Sequence, residues 1–229
     1  MKKKLILLSG PSCVGKGPMR KAMEDLHPDI EFAEPIWMHS RRPRFKRSLR
    51  RYEVHGVDYY FFPRTMIEQL DPERFIVGDL GYGLQAIDMG YLENMFETND
   101  VLFTEIYVSF FDPICRWAEK QEKFDIEVRS VFLIPMPFEE IKKKSAETGN
   151  PPDQVVYEVM IEKQKGRGED PPEKMETRAR VAWSEMRHAE KYSNVIVCRA
   201  GEDDLEQWGR PLGSEAQRVL DEFLKVFED

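Results

Sequence analysis

Between a short apolar run, Leu5-Ile6-Leu7-Leu8, and a stretch with apolar residues at Met19, Ala22, Met23 and Leu26 lies the loop Gly10-Pro11-Ser12-Cys13-Val14-Gly15-Lys16. A continuous apolar run bounded by turn residues reads as a buried parallel strand, and spacing of i, i+3, i+4 and i+7 reads as an amphipathic helix. The order is therefore strand, glycine loop, helix, and the loop fits GxxxxGK. In that frame backbone N–H groups turn inward to hold phosphate oxygens. The helix N-terminus adds partial positive charge, and Lys16 reaches the β- and γ-phosphates. Gly10, Pro11, Ser12, Cys13, Val14, Gly15, Lys16, Gly17 and Pro18 are the candidate phosphate-binding residues. The competing reading is a plain glycine turn with a surface lysine.

Two positions depart from the usual loop. The hydroxyl that normally follows the lysine and contacts Mg²⁺ is replaced by Gly17, and Pro18 comes next. Pro18 falls in the first helical turn, where a missing N–H breaks no intrahelical bond. It has neither hydroxyl nor N–H to offer an α-phosphate. Cys13 stands inside the loop either as a space-filling residue or as a thiol whose pKa the helix N-terminus lowers.

Further strand-like runs at Val101-Leu102-Phe103, Val131-Phe132-Leu133-Ile134 and Val195-Ile196-Val197 alternate with helical patterns, which implies a parallel α/β sheet. The last helix is predicted to start with a Ser214/Gln217 capping box and to carry the stripe Ala216, Val219, Leu220, Phe223, Leu224 and Phe227. Residues 39–87, rich in Arg, Tyr and Phe with turns at His55-Gly56 and Leu80-Gly81, read as an inserted mixed subdomain. Residues 138–178 are polar and broken by Gly149-Asn150-Pro151-Pro152 and Asp170-Pro171-Pro172. With a stripe at Val155, Val156, Val159 and Met160, they read as a mobile flap.

The 229 residues fit one generous domain at roughly 100–200 residues each. The net charge of −8 argues against a protein that coats nucleic acid. Cys13, Cys115 and Cys198 stand in no disulfide or zinc spacing, so no metal site is expected. The four histidines, His27, His39, His55 and His188, show no ligand or triad spacing and are expected at the surface. The run after Met1-Lys2-Lys3-Lys4 is too short for a signal peptide, and nothing approaches the ~20 apolar residues of a membrane span. A soluble, cytoplasmic protein is expected, with no membrane partner; the sequence carries no signal for an oligomeric state.

A second constellation is Ser40-Arg41-Arg42-Pro43-Arg44, followed by Tyr52-Glu53-Val54-His55-Gly56-Val57-Asp58-Tyr59-Tyr60-Phe61. With the glycine loop it resembles the guanylate kinase family, whose acceptor segment reads (S/T)-R-x-P-R and then G-V-D-Y-x-F. Phe75-Ile76, Tyr82-Gly83, Arg167 and Arg178 in Gly166-Arg167-Gly168…Thr177-Arg178, Glu185, and Tyr192 to Val197 match further family positions in order. The resemblance implies a P-loop nucleotide kinase fold: a parallel sheet core flanked by helices (1–38, 88–137 and 179–229), an acceptor-binding subdomain at 39–87, and a helical lid at 138–178 enlarged by an insertion. It also implies ATP, with Mg²⁺ held mainly by nucleotide phosphates and water, and small-molecule nucleotides as partners. The catalytic residues would be Lys16, Arg41, Arg44 and the lid arginines Arg167 and Arg178.

These roles are physically sensible. A monophosphate dianion calls for arginine forks, supplied by Arg41 and Arg44, with Ser40 and the hydroxyls of Tyr59 and Tyr82 beside them. Phosphoryl transfer is mostly positioning and charge neutralisation, the work of Lys16, Arg167 and Arg178. Where the family places a base-reading glutamate and a Ser/Thr, this chain has Val77 and Leu84. Asp79 is then the candidate replacement carboxylate. Glu105, at the next strand end, either holds Mg²⁺ through water or is a surface acid. The family's adenine-side Asn is Cys198.

GMP or dGMP is the first acceptor to try. The alternatives are another phosphorylated acceptor and a silent kinase-like binding module. A nucleic-acid patch built on Arg41, Arg42, Arg44, Lys46, Arg47, Arg50 and Arg51 is disfavoured by the acidic whole.

Overall fold

The computed structural model describes residues 2–46, 51–81, 83–165 and 172–228, without the side chains of Lys46, Lys165 and Lys174. In chain order its regular elements are β1 (Lys2–Ser9), α1 (Lys16–Leu26), β2 (Met38–His39), β3 (Phe45–Lys46), β4 (Arg51–Tyr52), β5 (Tyr60–Phe61), α2 (Arg64–Glu68), β6 (Phe75–Asp79), β7 (Leu84–Asp88), α3 (Met89–Thr98), β8 (Val101–Glu105), α4 (Phe111–Glu119), β9 (Asp125–Ile134), α5 (Phe138–Thr148), α6 (Pro152–Lys165), α7 (Pro172–Met186), β10 (Asn194–Val197), α8 (Leu205–Trp208) and α9 (Ser214–Leu224).

The four apolar runs of the sequence become one parallel sheet in the order β10-β9-β1-β8. Leu5 to Leu8 and Val131 to Ile134 are each at most 2% exposed. Strands covered on both faces lose the polar alternation of a half-wet sheet, and so they were readable as continuous runs. The chain divides into two compact units, Met1–Leu7 with Phe32–Val128 and Leu8–Glu31 with Arg129–Asp229.

In the first unit a mixed sheet runs β5-β2-β7-β6. β2 is parallel to β5 and antiparallel to β7, and β6 pairs antiparallel with β7 from Phe75↔Asp88 to Asp79↔Leu84 without a break. Ile67 of α2 packs with Leu84 and Ala86 beneath this sheet. β3 and β4 form a separate antiparallel pair. Asp88 caps α3 by accepting from the Gly90 and Tyr91 N–H groups.

In the second unit α1 buries Met19, Ala22 and Met23. Leu26, the last residue of the helix, is 43% exposed and leaves the predicted stripe. The predicted stripe of α6 buries Val155, Val156 and Met160, and Val159 is half-buried. α9 buries Ala216, Val219, Leu220 and Phe223. Its expected Ser214/Gln217 capping box is not formed: Ser214 is already helical and Gly213 is the N-cap. The Gln207 side chain takes the capping role, its Oε1 accepting from the N–H groups of Glu215 at 3.0 Å and Ala216 at 3.4 Å. Among the described residues no helix is long and apolar enough to cross a membrane.

Candidate nucleotide-binding site

The glycine loop is shaped by what surrounds it. Gly10 has φ 142°, and a Cβ there would stand 2.5 Å from the Leu133 carbonyl oxygen. Gly15 has φ 107°, and its Cβ would stand 2.7 Å from Cys198 Sγ. Both positions need glycine for backbone conformation and for space. Between them Cys13 adopts φ 65°, a left-handed conformation rare for a side-chain-bearing residue, and is 2% exposed. Ser12 Oγ lies 3.7 Å from its sulfur. Lys16 is 7% exposed and its Nζ donates to the carbonyls of Gly10 at 2.8 Å and Pro11 at 2.9 Å. The loop thus curls around its own ammonium, at the N-terminus of an 11-residue helix. That arrangement suits a polyanion, because amide dipoles and a fixed cation converge on one loop.

Behind the loop, Lys163 of α6 donates to three successive carbonyls, Cys198 at 3.1 Å, Arg199 at 2.6 Å and Ala200 at 3.0 Å. Burial pulls its pKa below the ordinary lysine value. Cys198 is fully buried, which pushes its thiol up to about 11, and its Sγ donates to the Ala200 carbonyl at 3.4 Å. Trp208 closes the same turn, its indole N–H donating to the Gly201 carbonyl at 2.9 Å. A Cβ on Gly15 would meet the Trp208 ring at 3.4 Å. Pro18 is the third residue of α1, and Gly17 is exposed. A Cβ on Gly17 would meet Glu202 Oε1 at 3.6 Å.

In the other unit Arg41, Tyr59 and the Arg44 backbone gather around one buried carboxylate. Arg41 holds Glu53 through both guanidinium nitrogens, NH1 to Oε2 and NH2 to Oε1, the latter at 2.8 Å. Both side chains are nearly buried, at 11% and 5% exposure. Glu53 Oε2 also accepts from the Arg44 N–H at 2.8 Å. The Arg41 guanidinium lies over Tyr59 at 5.0 Å and Phe61 at 5.5 Å. A fork fixed by a carboxylate and two ring faces is pre-oriented, so little rotamer freedom remains to be lost when an anion arrives. Ser40 joins β7, its Oγ accepting from the Leu84 N–H at 2.8 Å.

His39 corrects the expectation of a surface histidine: it is 1% exposed and lies under this cluster. Its Nδ1 accepts from the Arg41 N–H at 3.2 Å. Desolvation, followed by the charges of Arg41 and Arg44, lowers its pKa to about 4. Neither His39 nor Glu53 was a candidate site residue in the sequence. Glu53 lies inside the matched acceptor segment, but no spacing rule marks it as a buried partner.

Asp79 ends β6 and is exposed. It pairs with Arg64 at 3.0 Å and accepts from the Gly81 N–H at 2.8 Å; these two bonds hold its carboxyl below the usual range. Val77 shares its face of the strand and is 40% exposed, and Leu84 is buried. Glu105 is exposed at the end of β8, next to buried Thr104, whose Oγ1 accepts from the Trp37 indole N–H at 2.8 Å. Arg178 is half-buried on α7. Tyr82 and Arg167 lie outside the described residues. Among the described residues no group of three or more His, Cys, Asp or Glu side chains comes together as a metal site.

A parallel sheet with a GxxxxGK loop between its first strand and first helix is the arrangement of a P-loop nucleotide kinase fold. No family model matches the chain. Among curated proteins it is similar to the guanylate kinases of Trichormus variabilis (25% identical, covering 89% of this chain and 84% of that protein) and Oceanobacillus iheyensis (24%, covering 98% and 95%). The guanylate kinase of Bacillus cereus is 27% identical over 84% of this chain and 78% of its own. The fold is similar to the crystal structure of guanylate kinase from Anaplasma phagocytophilum, with a TM-score of 0.54 at 16% identity, covering 98% of this chain and 84% of that one. Over most of its length, then, the chain is similar to guanylate kinases in sequence and in fold.

Proposed function

We propose that the chain catalyses ATP-dependent phosphoryl transfer to a nucleoside monophosphate, GMP or dGMP, as GMP + ATP → GDP + ADP, in the cytoplasm. The observation that carries the reading is the phosphate loop, with Lys16 buried and bonded to the Gly10 and Pro11 carbonyls. On this reading residues 10–18 hold the ATP phosphates, and Lys16 neutralises charge on the β- and γ-phosphates. Ser40, Arg41, Arg44, Tyr59 and Tyr82 within 39–87 bind the acceptor phosphate. Arg167 and Arg178 in the lid, 138–178, stabilise charge on the moving group. Asp79 and Glu105 are the carboxylates available to a base or, for Glu105, to metal-bound water.

Mg²⁺, when bound with ATP, would supply neutralisation of the phosphate charge. On this reading the cation is held mainly by nucleotide phosphates and water, with Glu105 the chain's own candidate to hold that water.

A second reading, a same-fold kinase with a different phosphorylated acceptor, is favoured by Val77 and Leu84 standing where the resemblance places base-contacting polar residues. One experiment separates them: ADP release over GMP, dGMP, AMP, CMP and UMP with MgATP, in wild type and Lys16→Ala. Turnover highest on GMP or dGMP, falling by about 10²–10³ in the variant with unchanged circular dichroism, is expected. Turnover on none of the five moves the acceptor outside nucleotides or leaves a silent module. Unchanged turnover in Lys16→Ala refutes the loop assignment.

A further inference from the structure

β2 ends at His39, and the next two residues leave the strand in a bend. The His39 backbone is held from both sides, paired with Gln85 of β7 and with Phe61 of β5. Ser40 stays with β7, its N–H donating to the Leu84 carbonyl at 2.9 Å and its Oγ accepting from the Leu84 N–H. Arg41 is the first residue to turn away, and its N–H donates to His39 Nδ1 at 3.2 Å. A side chain that accepts from the N–H two residues on is the bond by which Asn and Asp set tight turns, made here by an imidazole. Nδ1 can accept only while the ring is neutral with its proton on Nε2. Desolvation, with the charges of Arg41 and Arg44 opposed by that of Glu53, keeps it so at pH 7.

The imidazole also meets the other side of the predicted acceptor segment. Its ring stands edge-on to Tyr59, with centroids 5.6 Å apart. A Cβ on Gly83, the residue after Tyr82, would stand 3.0 Å from His39 Cε1 and 3.4 Å from Nδ1, so the glycine backbone closes over the ring. Arg41, Tyr59 and Gly83 thus meet at one side chain. Glu53 and the faces of Tyr59 and Phe61 hold Arg41 at its guanidinium end, and His39 holds the same residue at its backbone end. An arginine side chain turns freely about several bonds between those two points. Fixing both ends defines where the fork sits, and a misplacement of about 1 Å in a positioning group can cost about a hundredfold.

We infer that His39 is a positioning residue of the acceptor site: its imidazole fixes the backbone from which Arg41 extends, and so sets the affinity for a phosphomonoester dianion with no part in ATP binding. The inference rests on the proposed binding of the acceptor phosphate by Arg41. What the site requires of residue 39 is then an acceptor atom within reach of the Arg41 N–H, and an acceptor that does not titrate serves as well.

The test is isothermal calorimetry at pH 7 of GMP and, separately, of MgATP, on wild type, His39→Leu and His39→Asn. Leucine and asparagine share a branched outline, and only asparagine offers an acceptor to the Arg41 N–H. His39→Leu is expected to bind GMP about tenfold more weakly, the loss of one turn bond, with MgATP unchanged. His39→Asn is expected to return to within about threefold of wild type. Should His39→Leu not fold, His39→Cys, close to asparagine in size and without a strong acceptor, takes its place with the same expectation. GMP affinity equal to wild type in His39→Leu, equally reduced in both variants, or reduced together with that for MgATP, would show His39 to be a packing residue only. Each of those results overturns the inference while the kinase reading stands. Wild type that binds MgATP but no GMP overturns the acceptor reading, and wild type that binds neither overturns the kinase reading; the inference falls with either.

Discussion

Acidifying the protein tests the buried imidazole of His39. Its pKa falls from 6.5 to about 4, with desolvation the largest cause. The direction of the linkage follows. Between pH 6.5 and 4 the unfolded chain carries a proton on this residue and the folded chain does not, so folding releases a proton and stability is lost as pH falls through that window. Protonation also destroys the Nδ1 acceptor that the Arg41 N–H uses and sets a third positive charge beside Arg41 and Arg44. With these two pKa values the contribution lost between pH 7 and pH 5 is about 2 kcal/mol. The assay is urea unfolding at pH 7 and pH 5 of wild type and of His39→Asn, whose side-chain carbonyl keeps an acceptor near the Nδ1 position but does not titrate. Lost ring packing against Tyr59 lowers the variant's stability at both pH values alike, so only the difference in pH dependence reports the imidazole. Wild type should lose about 2 kcal/mol more than the variant over this interval. Identical losses would refute the buried neutral histidine.

Gly10→Ala is expected to destabilise by at least about 2 kcal/mol in thermal or urea unfolding, because its Cβ would stand 2.5 Å from the Leu133 carbonyl oxygen at a φ of 142°. Gly81→Ala, also at positive φ but with nothing within 4 Å, is the control and should lose clearly less. Glu53→Gln leaves the Arg41 guanidinium half-partnered in a nearly buried site and should cost about 3–5 kcal/mol in chemical denaturation. Its weakening of acceptor binding should exceed its weakening of ATP binding. A stability loss below about 1 kcal/mol would show the pair to be well solvated.

Legibility followed the physics of each element. The apolar runs of β1, β8 and β9 were visible because strand segments covered on both faces must be apolar, β10 was visible from its β-branched run although Val195 is exposed, and the loop was visible because its glycines answer to local geometry. β2, β3, β4 and β5 have two residues each, too few for any periodicity to appear. His39 belongs to one of them, and the burial of a single residue in so short a strand leaves no pattern. Glu53 is buried by a partner twelve positions away. The Ser214/Gln217 spacing is a genuine capping signal, overridden by a Gln207 side chain arriving from α8, which propensity within one helix does not contain.

The acceptor site divides into a part that is built and a part that is exchangeable. On the proposed reading Arg41, fixed by Glu53 and two aromatic rings, would address the phosphate that every nucleoside monophosphate carries, and so would discriminate among none of them. Discrimination must come from groups that meet the base. An apolar surface such as Val77 reaches only about 10–200-fold, whereas a site that hydrogen-bonds its substrate reaches about 10⁴–10⁵. Asp79 lies two residues along the same face of an unbroken strand, and its attachments are a half-exposed ion pair to Arg64 and one turn hydrogen bond from Gly81. An exposed pair of this kind is weak, so the carboxylate can be redirected at little cost, unlike Glu53, whose displacement would unfasten both Arg41 and the Arg44 backbone. On the proposed reading, strong selectivity for guanine at this strand would need Asp79 to turn from Arg64 toward the base. A chain that keeps that pair intact on binding its acceptor is left with apolar discrimination on this face of the strand.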